Sequence, residues 1–169
     1  GMDTGPLLSQ ERTPILPGDT RGGLEARLAV LGAELVARVL PRWLTGEVAP
    51  QAQDHSRATV SGQLTKADGL VDWSRPAEYL ERLCRAMDPW PGAFTSWEGR
   101  GLRIRRGEVV SGGPAAAPGK VVAEPGPAAV GTGEGLLRLV TVQPEGRPSM
   151  SAEEFVRGRP RFIGAQLGA

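Results

Sequence analysis

From Leu24 to Trp43 the apolar residues Leu24, Leu28, Leu31, Leu35, Val39 and Trp43 recur at helical spacing, with Asp19 or Thr20 available as a cap and Gly46 as a stop. An apolar stripe that wide needs a sheet or a second helix to cover it. The residues ahead of it offer one weak edge strand, Leu7 to Leu16, broken by Glu11, Arg12 and Pro14. The first third of the chain therefore reads as the tail of a domain whose main body lies elsewhere. Gly1 before Met2 reads as a residue left by tag removal and carries no fold information.

Residues 47–65 are polar, with scattered Gln, Asp and Ser and no sustained period, and read as a linker. A second unit follows. Ser74 is placed to cap a helix that has Pro76 in its first turn and Leu80, Leu83, Cys84 and Met87 on one face; Pro89 stops it. Five short runs then alternate with turn signals: Ala93 to Trp97, Leu102 to Arg106, Lys120 to Ala123, Ala128 to Thr132, and Leu136 to Gln143. Glu98-Gly99-Arg100-Gly101 and Gly133-Glu134-Gly135 suit tight hairpins, and Ser111 to Gly119 a longer loop. Five short strands in about 50 residues favour a small barrel, which leaves no sheet edge exposed. Ser151 and Glu154 form a capping box for a last short helix ending near Gly158, ahead of a basic tail with Arg159 and Arg161. The expected fold class is α+β: a remnant strand and helix at 2–46, a linker at 47–65, and a small five-stranded barrel with flanking helices at 66–169.

The 169 residues hold 20 Lys plus Arg against 19 Asp plus Glu, with one His and one Cys. A disulfide scaffold is excluded, and His55 with Cys84 can assemble neither a zinc site nor a His-centred triad within the chain. No run approaches the roughly 18 apolar residues of a membrane helix, and the N-terminus lacks the basic-then-apolar pattern of a secretory signal, so a cytoplasmic chain is expected. With 24 glycines and 15 prolines, much of the chain must be turns.

The position of the charges says more than their total. Residues 1–65 carry 6 basic and 7 acidic side chains and residues 66–169 carry 14 and 12, with Arg100, Arg103, Arg105 and Arg106 inside seven positions. In Leu102-Arg103-Ile104-Arg105 the period-2 alternation buries Leu102 and Ile104 and turns Arg103 and Arg105 to the opposite face. Such a face either binds phosphates or is simply a solvated strand face. Lys66, Lys120, Arg138 and Arg157 are further candidates. Trp90, between Pro89 and Pro91 at a helix end, reads as a core plug rather than a stacking surface, as do Trp73 and Trp97; Cys84 reads as a small hydrophobe.

Asp3-Thr4-Gly5 also occurs at the nucleophilic turns of aspartic proteases, but that chemistry needs two carboxylates, and the chain has no second Asp-Thr-Gly or Asp-Ser-Gly. Taken alone, Asp3 initiates a turn before Pro6. Its surroundings suggest more. Met2-Asp3-Thr4-Gly5-Pro6-Leu7-Leu8, Asp19-Thr20 and Leu28-Ala29-x-Leu31-Gly32-Ala33-Glu34-Leu35 resemble the end of the formyltransferase domain in the methionyl-tRNA formyltransferase family. The likeness continues in register through Leu64-Thr65-Lys66-Ala67-Asp68-Gly69, Asp72-Trp73 and Arg85-Ala86-Met87-Asp88-Pro89-Trp90-Pro91-Gly92-Ala93. Pro118-Gly119, Thr132-Gly133-x-Gly135, Gln143-Pro144-x-Gly146, Met150-Ser151-Ala152 and Phe155 extend it over nearly the whole chain.

The resemblance implies a transfer of the formyl group of 10-formyltetrahydrofolate to the amino group of methionine on initiator tRNA. An Asn and a His near the developing oxyanion, and the Asp of the Asp-Thr-Gly turn, would carry it. Asp3 matches that Asp; the Asn and His belong to a segment ahead of Met2 in the family, so this chain alone is expected to be inactive. His55 aligns with no catalytic position. The resemblance also implies that residues 2–46 are a remnant of an α/β formyltransferase domain and that the second unit is an OB-like domain contacting initiator methionyl-tRNA. A freestanding RNA-binding module is the alternative. So is a structural subunit that self-associates through the uncovered helix of residues 20–46. The chain departs from the family pattern at Val60 and Gln63, where relatives often carry Tyr and Lys, and at Asp88, where Asn is usual.

Overall fold

Contacts divide the chain into two units, Gly1–Gln63 and Leu64–Ala169, and the computed structural model describes residues 3–113, 115–124 and 126–168 of them. In the first unit helix α1 spans Arg21–Leu44, capped by Thr20, whose side chain accepts a hydrogen bond from the Gly23 amide at 3.2 Å. None of its residues is buried, and Leu28, Val30, Val36, Leu40, Trp43 and Leu44 are exposed. The strand expected from Leu7 to Leu16 reduces to one antiparallel bridge, Leu7 with Gln51. Further along, side chains occupy its backbone: the Leu16 amide donates to Asp19 Oδ2 (2.7 Å) and the Pro14 carbonyl accepts from Arg27 (2.8 Å), so neither can join a ladder.

The second unit is built on one antiparallel sheet. Helix α2 (Ala77–Ala86) precedes strands β1 (Ala93–Trp97), β2 (Arg100–Val110), β3 (Val121–Val122), β4 (Ala129–Gly131), β5 (Leu136–Pro144) and β6 (Met150–Ser151), and helix α3 (Ala152–Arg157) follows. The strand order is β1-β2-β5-β4-β3, with β6 beside β5. All five expected strands are present, and the capping box holds, Ser151 Oγ accepting from the Glu154 amide while Glu154 accepts from the Ser151 amide.

Ser74 does not cap α2. Its amide and hydroxyl donate to Asp72 Oδ1, while the Ala77 amide at the start of α2 donates to the carbonyl of Glu134. The loop that supplies Glu134 comes so close that a Cβ on Gly133 would lie 1.8 Å from the Ser74 carbonyl oxygen.

The expected closed barrel is not formed by strand pairing: among the described residues β1 and β3 are the two ends of the sheet and do not pair. The segment from Gly164 to Gly168 lies between them. It exchanges hydrogen bonds with Val121 and Gly119 on one side and donates from Gly168 to the Ser96 carbonyl on the other. Irregular chain thus satisfies polar groups that a strand-to-strand closure would have paired.

The core lies between the sheet, α2 and α3. Leu80, Leu83 and Cys84 of α2 meet Leu102, Ile104, Leu137, Leu139 and Val142 of the sheet. Phe155, Phe162 and Trp97 pack edge to face, with centroids 4.9 to 5.7 Å apart. Trp73 is buried with its indole N–H donating to Thr95 Oγ1 at 3.2 Å, and burial pushes the Cys84 thiol up to about 12. Trp73, Trp97 and Cys84 sit where the sequence placed them. Among the described residues no helix is long and apolar enough to cross a membrane, and no cluster of His, Cys, Asp and Glu could hold a metal.

Candidate nucleic-acid interface

Strand β2 carries the arginines. Leu102 and Ile104 point into the core as the alternation requires, and Arg103 is exposed on the other face. A register shift between Ile104 and Arg106 then breaks the alternation, so that Arg105 and Arg106 both escape the core and Gly107 takes the next inward place.

The four clustered arginines do different things. Arg105 is half-buried and committed to structure: Nε and Nη2 donate to Gln143 Oε1 at 3.0 and 2.8 Å, and Nη1 reaches Asp88 and the Pro89 carbonyl at 3.4 Å. Arg106 pairs with Glu108 at 3.0 Å, and Arg138 pairs with the same carboxylate. The Arg138 hydrogen bond is the main cause that holds the Glu108 carboxyl below its usual range. Lys120 donates to the Gly164 carbonyl, and Arg157 pairs with Glu153 at 2.9 Å along α3. Arg100, Arg103 and Lys66 are exposed, and no acidic side chain among the described residues pairs with them.

These last three line two adjoining hollows. One, of about 330 Å³, is walled by Lys66, Arg103, Pro91, Phe94 and Gln143; the other, of about 280 Å³, by Arg100, Arg147, Arg159, Glu98 and Phe155. They share Gly101, Leu102, Pro144 and Glu145, so they form one groove along the start of β2 and the end of β5. Five cations face two carboxylates there, Glu98 and Glu145, the latter tied by a 3.1 Å hydrogen bond from the Gly101 amide. Arg159 lies over the Phe155 ring at 4.7 Å, which orients its guanidinium without cancelling its charge.

Arg147 was not singled out by sequence, and Arg159 only as part of a basic tail, not as a phosphate-binding candidate. They lie more than forty positions from Arg100 in the chain, and only the pairing of β2 with β5 and the packing of Phe155 bring them beside it. Trp90 is the opposite case. It is 52% exposed and so is not the core plug its proline neighbours suggest: the turn after α2 gives its inward positions to Pro91, Gly92 and Ala93, leaving Trp90 on the outer side. Asp3, in the first unit, is exposed at φ 61°, and Gln53 Nε2 donates to its carbonyl and to that of Gly5 at 3.0 and 2.6 Å. His55 is exposed in a separate 3-10 turn.

A family profile described as "Formyl transferase, C-terminal domain" matches residues 63–160. The chain belongs to that family. The formyl transferase C-terminal domain contains every residue of the basic groove, whereas Asp3 precedes it. Curated relatives bear this out over a longer span. A methionyl-tRNA formyltransferase of Chloroflexus aurantiacus is 45% identical over 93% of this chain and 51% of its own length. One of Roseiflexus sp. (strain RS-1) is 41% identical over 99% and 52%. The chain therefore spans about half the length of the curated relatives it matches, their C-terminal half. Among solved structures, a HypX variant from Aquifex aeolicus aligns with a TM-score of 0.70 at 16% identity, over 95% of this chain and 30% of that one. HypX in complex with tetrahydrofolic acid aligns at 0.54 and 19% identity, over 73% and 22%. These two share the fold of mixed helix and antiparallel sheet that the second unit shows.

Proposed function

We propose that this chain is the C-terminal half of a methionyl-tRNA formyltransferase and that residues 66–169, within its second unit, form an OB-like domain that holds initiator methionyl-tRNA. The observation that carries the reading is the groove in which Lys66, Arg100, Arg103, Arg147 and Arg159 converge with no acid pairing the first three. Surface arginines kept for solubility alone are usually interspersed with acids, as Arg106, Arg138 and Arg157 are here. In the whole protein the reaction would move a formyl group from 10-formyltetrahydrofolate to the methionyl amine. Asp3 would belong to the first unit's share of that site, its carboxylate orienting an imidazole and relaying protons. The remnant helix α1, with its apolar side uncovered within its own unit, is where two copies would associate, which light scattering at high concentration tests.

The deciding experiment is binding of initiator methionyl-tRNA across a salt series. Affinity should fall linearly on logarithmic axes, and Arg103→Ala should weaken binding and reduce the slope by about one. Failure of the unaltered chain to bind at low salt would overturn the tRNA-holding role. An unchanged slope in Arg103→Ala would move the RNA surface away from this groove.

A further inference from the structure

Trp90 stands in the turn from Asp88 to Gly92, and that turn is fixed at both ends by arginines of β2. Arg105 reaches Asp88 and the Pro89 carbonyl, and the Arg103 stem lies 3.6 Å from where a Cβ on Gly92 would be. On its other side the turn abuts the 3-10 turn of Lys66–Gly69, Gly69 approaching so closely that a Cβ there would meet the Gly92 carbonyl oxygen at 2.2 Å. Pro91, the next residue, lines the groove together with Lys66 and Arg103. A large, half-exposed indole is thereby carried by a turn whose next residue, Pro91, walls the groove with two cations that no acid engages.

We propose that Trp90 is a stacking platform for one unpaired nucleobase of the bound RNA, with Lys66 and Arg103 holding the flanking phosphates. The inference rests on the RNA-holding reading above and adds what part of the RNA meets this end of the groove. Chemistry favours the assignment. An indole face attracts a base of any identity, and stacking needs a ring whose position is set beforehand. The prolines and the Arg105 contacts set the backbone that carries the ring, so little backbone freedom is lost when a base arrives. A base locked in a duplex cannot use the platform, because its faces are already covered; the segment recognised must be single-stranded where it passes Trp90.

The test compares two RNA hairpins, one blunt and one with a four-nucleotide unpaired tail, against the unaltered chain, Trp90→Leu, Trp90→Phe and Arg103→Ala, with melting curves of each. Trp90→Leu keeps an apolar side chain but loses the aromatic face. It should bind the tailed hairpin about tenfold more weakly, with unchanged binding of the blunt hairpin and an unchanged salt slope. Trp90→Phe should recover most of the loss. Equal affinity of Trp90→Leu and the unaltered chain for the tailed hairpin, while Arg103→Ala loses affinity, would overturn the platform and leave the groove standing. Binding of neither hairpin by the unaltered chain at low salt would overturn both. Should Trp90→Leu melt early, the phenylalanine variant decides: a full-sized loss there, with a normal melt, rules out stacking on an aromatic face.

Discussion

Arg103 and Arg105 leave β2 toward the same side of the sheet, but their surroundings divide their work. Arg105 is held by Gln143, Asp88 and the Pro89 carbonyl, so its charge is spent inside the unit, whereas Arg103 has no such partners. Replacing Arg105 by Ala should therefore cost about 2 kcal/mol of stability, the usual scale for hydrogen bonds to a charged group, and change the salt slope of RNA binding little. Arg103→Ala should melt like the unaltered chain and lose slope. Thermal melts run beside the salt titration check this, and an Arg105→Ala variant with unaltered stability would refute the division. Residue roles of this kind were only partly legible in the sequence. Alternation placed Leu102 and Ile104 in the core and Arg103 outside, because that depends on backbone geometry alone. It could not tell a committed arginine from an available one, since Gln143 and Asp88 are 38 and 17 residues from Arg105. Trp90 failed for the same reason: apolar bulk implies burial only when a neighbouring element leaves room for it.

Elements were read best where their signals are local. The capping box of α3 needs only Ser151 and Glu154, and it forms. Ser151→Ala should destabilise the second unit by about 1 kcal/mol. The Glu154 carboxyl lies below its ordinary range, chiefly because it accepts a hydrogen bond from the Ser151 amide. A carboxyl lowered on folding contributes stability at neutral pH that is lost as pH falls through its folded value, which lies below the ordinary glutamate range. Glutamine accepts the same bond without a charge, so Glu154→Gln should melt slightly below the unaltered chain at neutral pH and lose less on acidification. Equal acid sensitivity in melts at stepped pH would show that this cap does not contribute. Elements with non-local causes were missed. Strand β2 runs on to Val110 because the irregularity near Arg105 breaks the period-2 pattern without ending the pairing with β5. The Gly164 to Gly168 segment showed no strand pattern because it is paired by scattered bonds to Gly119, Val121 and Ser96.

At the scale of the molecule the two units differ in what holds them. The second has a continuous core of Leu80, Leu102, Ile104, Leu137, Leu139, Val142, Phe155 and Phe162 under paired strands, so its amides should open only when the unit unfolds as a whole. The first has a 24-residue helix with no buried residue, steadied by surface contacts such as Arg27 with Asp19 and Arg38 with Glu11. Exposed ion pairs contribute about 1 kcal/mol or less each, and a helix of this length is marginal without packing. Native-state hydrogen exchange should therefore show the amides of α1 opening within about 2 kcal/mol, while those of β2 and β5 approach the stability of the second unit. Heating should give a broad, early loss of helix followed by a cooperative step. If in a monomeric sample the α1 amides exchange as slowly as those of β5, then α1 is held by more than its own surface contacts. If protection of α1 instead rises with protein concentration, its apolar residues are being covered by a second copy, the outcome that the self-association reading requires.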